Sequence, residues 1–371
     1  MIFAGLAVQG TAFGGGGAET SAYEDIDGSR AIDVHGLADF YAQHTVHRPP
    51  QGTVQFRAFD VRSDEPYLNF LRLTLAHRPG PYGFRLDVGL GDTPNGYVRS
   101  DPAASAYPGL SRTLSYVEQA FVTAIVPLGR GVTIDIGKFG TPIGLEDNET
   151  QHNWNYSRSL LYTLAEPTYH AGVRFTYPLG ETLAVSLFWV NGWNANVAAG
   201  NGMRALAGAV TWTPNERLEL VVDGMGGPER APTRLSDPTL TFRTELNASG
   251  SYALSDRVSF ALTADYGHDA AEGGVLWWGL GGYIRGRALP WLAGTLRGEH
   301  FADPNGFTSG TKQRLVEATG TIEVSGKVGD VALLGRLEYR RDRSDVRVFG
   351  GLDSARLTRQ ETLGVGLVAS F

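Results

Sequence analysis

The stretch TLGVGLVASF, Thr362 to Phe371, decides the fold class. Leu363, Val365, Leu367, Ala369 and Phe371 alternate with Thr362, Gly364, Gly366, Val368 and Ser370, so one face is apolar and the other mostly small or polar. Such a period of two describes a β-strand with different surroundings on its two faces. A soluble sandwich would set the apolar face on a core; a transmembrane barrel would set it in lipid and turn the polar face to the lumen. The upstream strands decide between them.

Working outward, the same pattern recurs as strand, short turn, strand, long connection. Asn69 to Arg78 turns at Pro79-Gly80-Pro81 into Tyr82 to Leu90. Tyr116 to Val126, Tyr169 to Tyr177, Arg204 to Thr213, Leu240 to Leu254, Val275 to Arg287 and Gln313 to Val328 each meet a partner strand across a similarly short turn. With Ile32 to Gln43 at the start and Gln360 to Phe371 at the end, about sixteen strands result. That number is even, as closed single-chain outer-membrane barrels require, with the short turns periplasmic and the long loops outside. Closure then pairs the first strand with the last. The aromatic final residue resembles the C-terminal signature of bacterial outer-membrane barrels, which implies that Phe371 is an assembly signal for the barrel-assembly machinery.

Charge placement follows the same alternation. Arg72, Arg85, Asp87, Arg174, Arg243, Glu245, Asp265, Arg285, Arg297, Glu299, Glu317, Glu323, Arg336 and Glu338 are assigned to the lumen face. An Arg or Lys facing the bilayer midplane would cost about 2–4 kcal/mol, so a membrane wall demands this segregation. On the apolar phase, Tyr177, Trp212 and Tyr252 sit beside short turns, and Trp189, Tyr266 and Tyr339 near the long loops. They read as two aromatic girdles at the headgroup level, although aromatic β-propensity alone also favours strands. Trp277 and Trp278 must face opposite ways, so one ring points inward.

Composition agrees with a barrel. Glycine numbers 49, charged residues make up 19%, and there is no cysteine, which removes disulfide, thiol and Cys-zinc chemistry. No run of eighteen apolar residues exists to form a helical span. A net charge of −7 argues against nucleic-acid binding. Residues 1–30 are expected to be a flexible N-terminus whose Met1 to Ala12 is like the end of a signal-peptide apolar region, and 31–371 a single outer-membrane barrel.

The connection Gly140 to Thr168 is the candidate functional segment, because so long a loop is usually functional or disordered and Leu160, Leu161, Tyr162 and Leu164 argue against disorder. Ser157 to Ala165 is expected to form a short helix. The stretches GKFGTPIGLE, NYSRSLLY, EPTYHAGVRFTYPLG and VSLFWVNGWN, spanning about Gly137 to Asn194, resemble the OmpL-like β-barrel porins. The resemblance implies a passive outer-membrane pore narrowed by an inward-folded loop, passing small hydrophilic solutes or ions. An infolded loop would set Glu146, Asp147, Glu149 and Arg158 against the lumen arginines, and opposed rows of unlike charge set ion preference by local field.

The expected partners are outer-membrane lipid, the permeating solutes and a homo-oligomer; no cofactor and no metal are expected. A plugged structural barrel is the alternative. A hydrolase is a weaker one: Ser157 and Ser159 lie near His152 in sequence, but no Gly-x-Ser-x-Gly elbow or His-Glu-x-x-His motif is present.

Overall fold

The computed structural model describes residues 31–49, 52–104, 106–197, 203–230, 240–352 and 355–371; expectations for residues 1–30 lie outside it. Among these residues sixteen strands close an antiparallel barrel in which each strand pairs with its sequence neighbour. They are β1 Asp33–Thr45, β2 Pro66–His77, β3 Tyr82–Leu90, β4 Val117–Val126, β5 Val132–Gly140, β6 Tyr169–Pro178, β7 Leu183–Val190 and β8 Ala205–Asn215. The second half holds β9 Leu218–Arg230, β10 Leu240–Ser255, β11 Val258–Asp269, β12 Val275–Leu289, β13 Leu292–Asp303, β14 Gln313–Val328, β15 Val331–Ser344 and β16 Arg359–Ser370.

The closing seam joins β1 to β16, with Leu37 opposite Ser370 and Thr45 opposite Thr362. Closure leaves no free edge, so the backbone of the wall pairs strand to strand around the ring, as a hydrocarbon surrounding demands. Leu71, Leu73, Val122, Leu187, Leu206, Val222, Leu262, Leu296, Leu363, Val365 and Leu367 point outward and are exposed. A continuous apolar outer band of this kind is the mark of a lipid-facing surface. Trp189, Trp212, Tyr252, Tyr266 and Tyr339 are exposed on the same outer phase, and Tyr177 is half-buried beside Gly129 of a short turn.

Inside, the connection between β5 and β6 and parts of those after β1 and β3 fold back into the barrel. Residues 91–116 carry two helices that the strand pattern does not foretell, α1 Asp92–Ser100 and α2 Pro108–Ser115. The helix expected over Ser157 to Ala165 is α3, Leu160–Leu164; the hydroxyl oxygen of Ser159 caps it by accepting from the Tyr162 amide at 2.9 Å. Leu160, Leu161 and Ala165 pack with Trp277, Phe301, Leu315 and Phe349 in one buried apolar cluster. Trp277 is thus the inward member of its pair, and Trp278 is exposed on the outside.

Candidate functional site

The loop between β5 and β6 crosses the lumen. Its two parent strands lie eight places around the sixteen-strand ring from β13 and β14, so contacts there reach the opposite wall. Glu338 on β15 accepts from the Tyr156 amide at 2.6 Å and the Ser157 amide at 3.0 Å. Arg336 on the same strand donates to the carbonyls of Thr150 at 2.7 Å and Asn155 at 3.0 Å. Glu299 on β13 accepts from the Leu160 amide at 2.8 Å, at the start of α3. The loop backbone thereby exchanges for wall carboxylates and guanidiniums the hydrogen bonds it would otherwise make to water.

Its side chains bind two parts of the wall. Glu149 is buried and ion-paired to Arg72 of β2, and lies 3.4 Å from Arg85 of β3. Those arginines also pair with Glu118, at 3.5 Å, and Asp87, at 2.8 Å. Glu146 receives Arg297 of β13 at 2.8 Å, the Tyr283 hydroxyl at 3.2 Å and the Ser159 amide at 2.6 Å. Arg297 also reaches Glu317 at 3.1 Å.

Arg158 turns back into its own loop, donating to the carbonyls of Asp147 (2.8 Å), Tyr156 (2.8 Å) and Asn148 (2.7 Å), and so fixes the loop's fold rather than facing a channel. Asp147, the more exposed of the acidic group, accepts the Glu149 amide at 2.8 Å and lies 3.4 Å from His152.

Electrostatics within the loop follow from these contacts. Burial opposes ionisation of Glu149, but Arg72, His152 and Arg85 outweigh it and hold the carboxyl well below its usual range. Burial likewise opposes the His152 cation, yet Glu149 and Asp147 raise the imidazole to about 9. For Glu166, burial and then the carboxylates of Asp265, Glu245, Asp223 and Glu146 all push upward, well above the ordinary value.

The structure brings together most of the charged residues assigned to the lumen. Arg72, Arg85, Asp87, Arg174, Arg243, Arg285, Arg297, Glu299, Glu317, Glu323 and Arg336 enter ion pairs, Arg174 with Asp135 at 2.8 Å, Arg243 with Asp269 at 2.9 Å and Arg285 with Glu323. Glu245 and Asp265 are buried on the β10 and β11 wall with no cationic partner among the described residues.

Sequence reasoning missed several participants. Arg340 and Asp342, paired at 2.8 Å, continue the inward phase of Arg336 and Glu338 and could have been found from it. Glu118 hides in a strand that reads as apolar. Arg57, 3.4 Å from Asp60, belongs to a connection with no periodicity to mark it.

A family model described as "Putative beta-barrel porin-2, OmpL-like" matches residues 31–371. The chain belongs to this family of outer-membrane porins. Its fold is shared with solved barrels of low sequence identity. An anion-selective porin from Comamonas acidovorans superposes with a TM-score of 0.60 at 10% identity, covering 92% of this chain and 99% of that one. The outer-membrane channel DcaP of Acinetobacter baumannii gives 0.60 at 13%, covering 92% and 96%. Outer-membrane expressed OmpT of Vibrio cholerae gives 0.59 at 10%, covering 92% and 99%. Comparison with curated proteins gave no match. This porin resides in the bacterial outer membrane, with the barrel as its channel-forming wall.

Proposed function

We propose that this porin passes small hydrophilic solutes and ions by diffusion, with the β5–β6 loop as its constriction and a preference for cations. The observation that carries the reading is the loop's course across the lumen, from its parent strands to Glu299, Arg336 and Glu338 on the far wall. A segment held at both ends of a diameter narrows whatever path remains beside it. The preference follows from which charges stay uncompensated. Arg57 of the β1–β2 connection and the wall arginines at positions 72, 85, 174, 243, 285, 297, 336 and 340 all face a carboxylate within an ion pair. Among the described residues Asp39, Glu166, Asp223, Glu245 and Asp265 are buried carboxylates with no ion pair, and they outnumber Lys138 and Arg158, the buried cations with none. The residual field in the lumen is therefore negative, and local field governs ion selection.

Reversal potentials across a KCl gradient in planar bilayers test this: cation preference is expected, and anion preference would overturn it. Liposome swelling with sugars of graded size measures the aperture.

A second reading, a barrel plugged by the same loop, draws on the full burial of Leu160 and Leu161 against Trp277 and Phe301. Folded protein that never conducts would favour it.

The proposed role is non-enzymatic. Ser157 contacts Arg297 and Arg340 through its hydroxyl, at 3.3 Å each, and His152 faces Asp147 and Glu149. Neither is placed as the nucleophile or base of a hydrolase. The trimer form described for Vibrio cholerae OmpT supports self-association of this barrel as well, which cross-linking in native membranes would detect.

A further inference from the structure

We propose that an outward-facing arginine patch at the long-loop ends of β14, β15 and β16 binds the phosphate groups of a lipid headgroup in the outer leaflet. The patch consists of Arg314 on β14, Arg341 and Arg343 on β15 and Arg359 on β16, all exposed. Each lies on the lipid-facing phase of its own strand, Arg314 with Val316, Arg341 and Arg343 with Leu337 and Tyr339, and Arg359 with Leu363 and Val365. Among the described strand side chains, no other Lys or Arg occupies this outward phase anywhere in the barrel.

The strand register sets two of these charges against each other. Arg343 stands directly opposite Arg359 across the β15–β16 pairing, and Arg341 directly opposite Glu361. Like charges in directly opposed positions on one sheet face repel. Glu361 is the one carboxylate on the outward phase of the described strand side chains, and it is shared: Arg341 and Arg359 each reach it at 3.6 Å and His47 at 2.6 Å. Asp345, just past β15, accepts the Arg314 backbone amide at 2.9 Å. Among the described residues neither Arg314 nor Arg343 enters an ion pair, so the patch keeps a surplus of positive charge.

Height on the wall points to a lipid as the occupant. Leu337 stands opposite Ile322 and Val365, an apolar rung that faces acyl chains. On the next rung Tyr339 stands opposite Gly320 and Leu363, at the aromatic girdle that marks the headgroup level. The two rungs above carry Arg341 with Glu361 and then Arg343 with Arg359. This is the long-loop end of the strands, which faces outside in barrels of this class. A lipid whose chains lie over Leu337 and Val365 brings its headgroup to the guanidiniums.

The inward face of the same strand shows the contrast. There Arg336 lies 2.8 Å from Glu323 and Arg340 2.8 Å from Asp342, so β15 compensates its guanidiniums inside the barrel and leaves a surplus outside. A guanidinium fork matches phosphate oxygens two at a time, and clusters of basic side chains at a membrane surface recognise anionic headgroups. A phosphate seated between Arg343 and Arg359 replaces their repulsion with charge-assisted hydrogen bonds to both.

Protein refolded in detergent should bind diphosphorylated lipid A saturably in native mass spectrometry, and retain phosphatidylcholine, whose headgroup is zwitterionic, far less. Arg343→Gln/Arg359→Gln should weaken lipid A binding by about tenfold or more, the loss expected when hydrogen bonds to a charged group are removed. Arg314→Gln/Arg341→Gln, from the same patch, should weaken it too, and keeps the test decisive if the first pair fails to fold. Arg204→Gln, which removes a guanidinium lying over Trp189 on the other side of the ring, should leave it unchanged. Equal retention of the two lipids would overturn the proposal, as would lipid A binding that survives both double substitutions or falls equally with Arg204→Gln. Displacement of the lipid by an equal concentration of inorganic phosphate would also overturn it, since the patch would then be a site for free anions. These readouts concern lipid alone, so they stand or fall separately from conduction.

Discussion

The ring of Phe371 lies over Gly36. The two residues exchange both backbone hydrogen bonds, Gly36 amide to Phe371 carbonyl at 3.1 Å and the reverse at 3.0 Å. A Cβ on Gly36 would overlap the phenyl ring, so glycine leaves the space the terminal aromatic occupies. This contact seals the β1–β16 seam on the outer face, where Phe371 stays 60% exposed. Gly36→Leu should therefore lower stability by about 1–3 kcal/mol through overpacking. Urea unfolding of protein refolded into liposomes reads the loss. Adding Phe371→Ala should recover part of it, and no recovery would mean the penalty arises elsewhere.

Glu149 is shared by Arg72, Arg85 and His152. Glu149→Gln leaves buried guanidiniums partly uncompensated, although Glu118 and Asp87 remain to them. The expected loss is on the order of 2–5 kcal/mol. Single-channel conductance should rise as the loop is freed from the β2–β3 wall, and the reversal potential should move toward anions. Unchanged conductance would detach this anchor from the constriction.

Most of the fold was legible because alternation is local. Leu363, Val365 and Leu367 declare their outward phase within five residues, and the inward arginines of β15 follow from Leu337 and Tyr339. The expected strand partners and the closure of the first strand on the last needed only strand order and parity; the register that sets Leu37 opposite Ser370 came from the structure. The loop contacts did not yield to this reasoning. Arg158 looked like a pore charge, yet it donates to carbonyls of its own loop, a result of chain path that no periodicity encodes. Glu166 was not singled out, since its acidic surroundings come from Asp223, Glu245 and Asp265 on three distant strands. Helices α1 and α2 were hidden for a similar reason: buried Tyr97 packs on Phe59 and Tyr169, contacts that exist only once the loops have folded inward.

The loop's titrating pair predicts a stability profile with two limbs. His152, raised in the folded state to about 9 from an ordinary 6.5, contributes fully below pH 6.5 and loses that contribution as pH climbs through about 9. Glu149, held below its ordinary 4.5, contributes above that pH and is lost as pH falls through its depressed value. Melting temperature should thus be highest between about pH 4.5 and 6.5 as far as this pair governs it. His152→Gln should flatten the alkaline limb between about pH 7 and 10. A variant that keeps the wild-type slope there would assign the limb to other groups.

Leu161 is received by the inward face of β12 at Gly279, where a Cβ would overlap its Cδ2, and next to Gly281. A side chain at position 279 therefore has to push α3 off the wall and toward the barrel axis. The β12–β13 pairing must also give a little, since the same Cβ would stand 2.8 Å from the His300 carbonyl oxygen, but valine suits an extended wall better than glycine does. Gly279→Val is thus expected to give a folded barrel with lower single-channel conductance. Leu161→Ala added to it should restore much of the conductance, because the methyl groups that met the new side chain are gone. Leu161→Ala alone removes a fully buried anchor and should cost about 2–5 kcal/mol. It should also raise current noise, since α3 loses its grip on the wall while Glu299 still holds its first amides. If Gly279→Val conducted like the wild type, α3 would not border the conducting path, and the narrowing would have to be sought nearer Glu149.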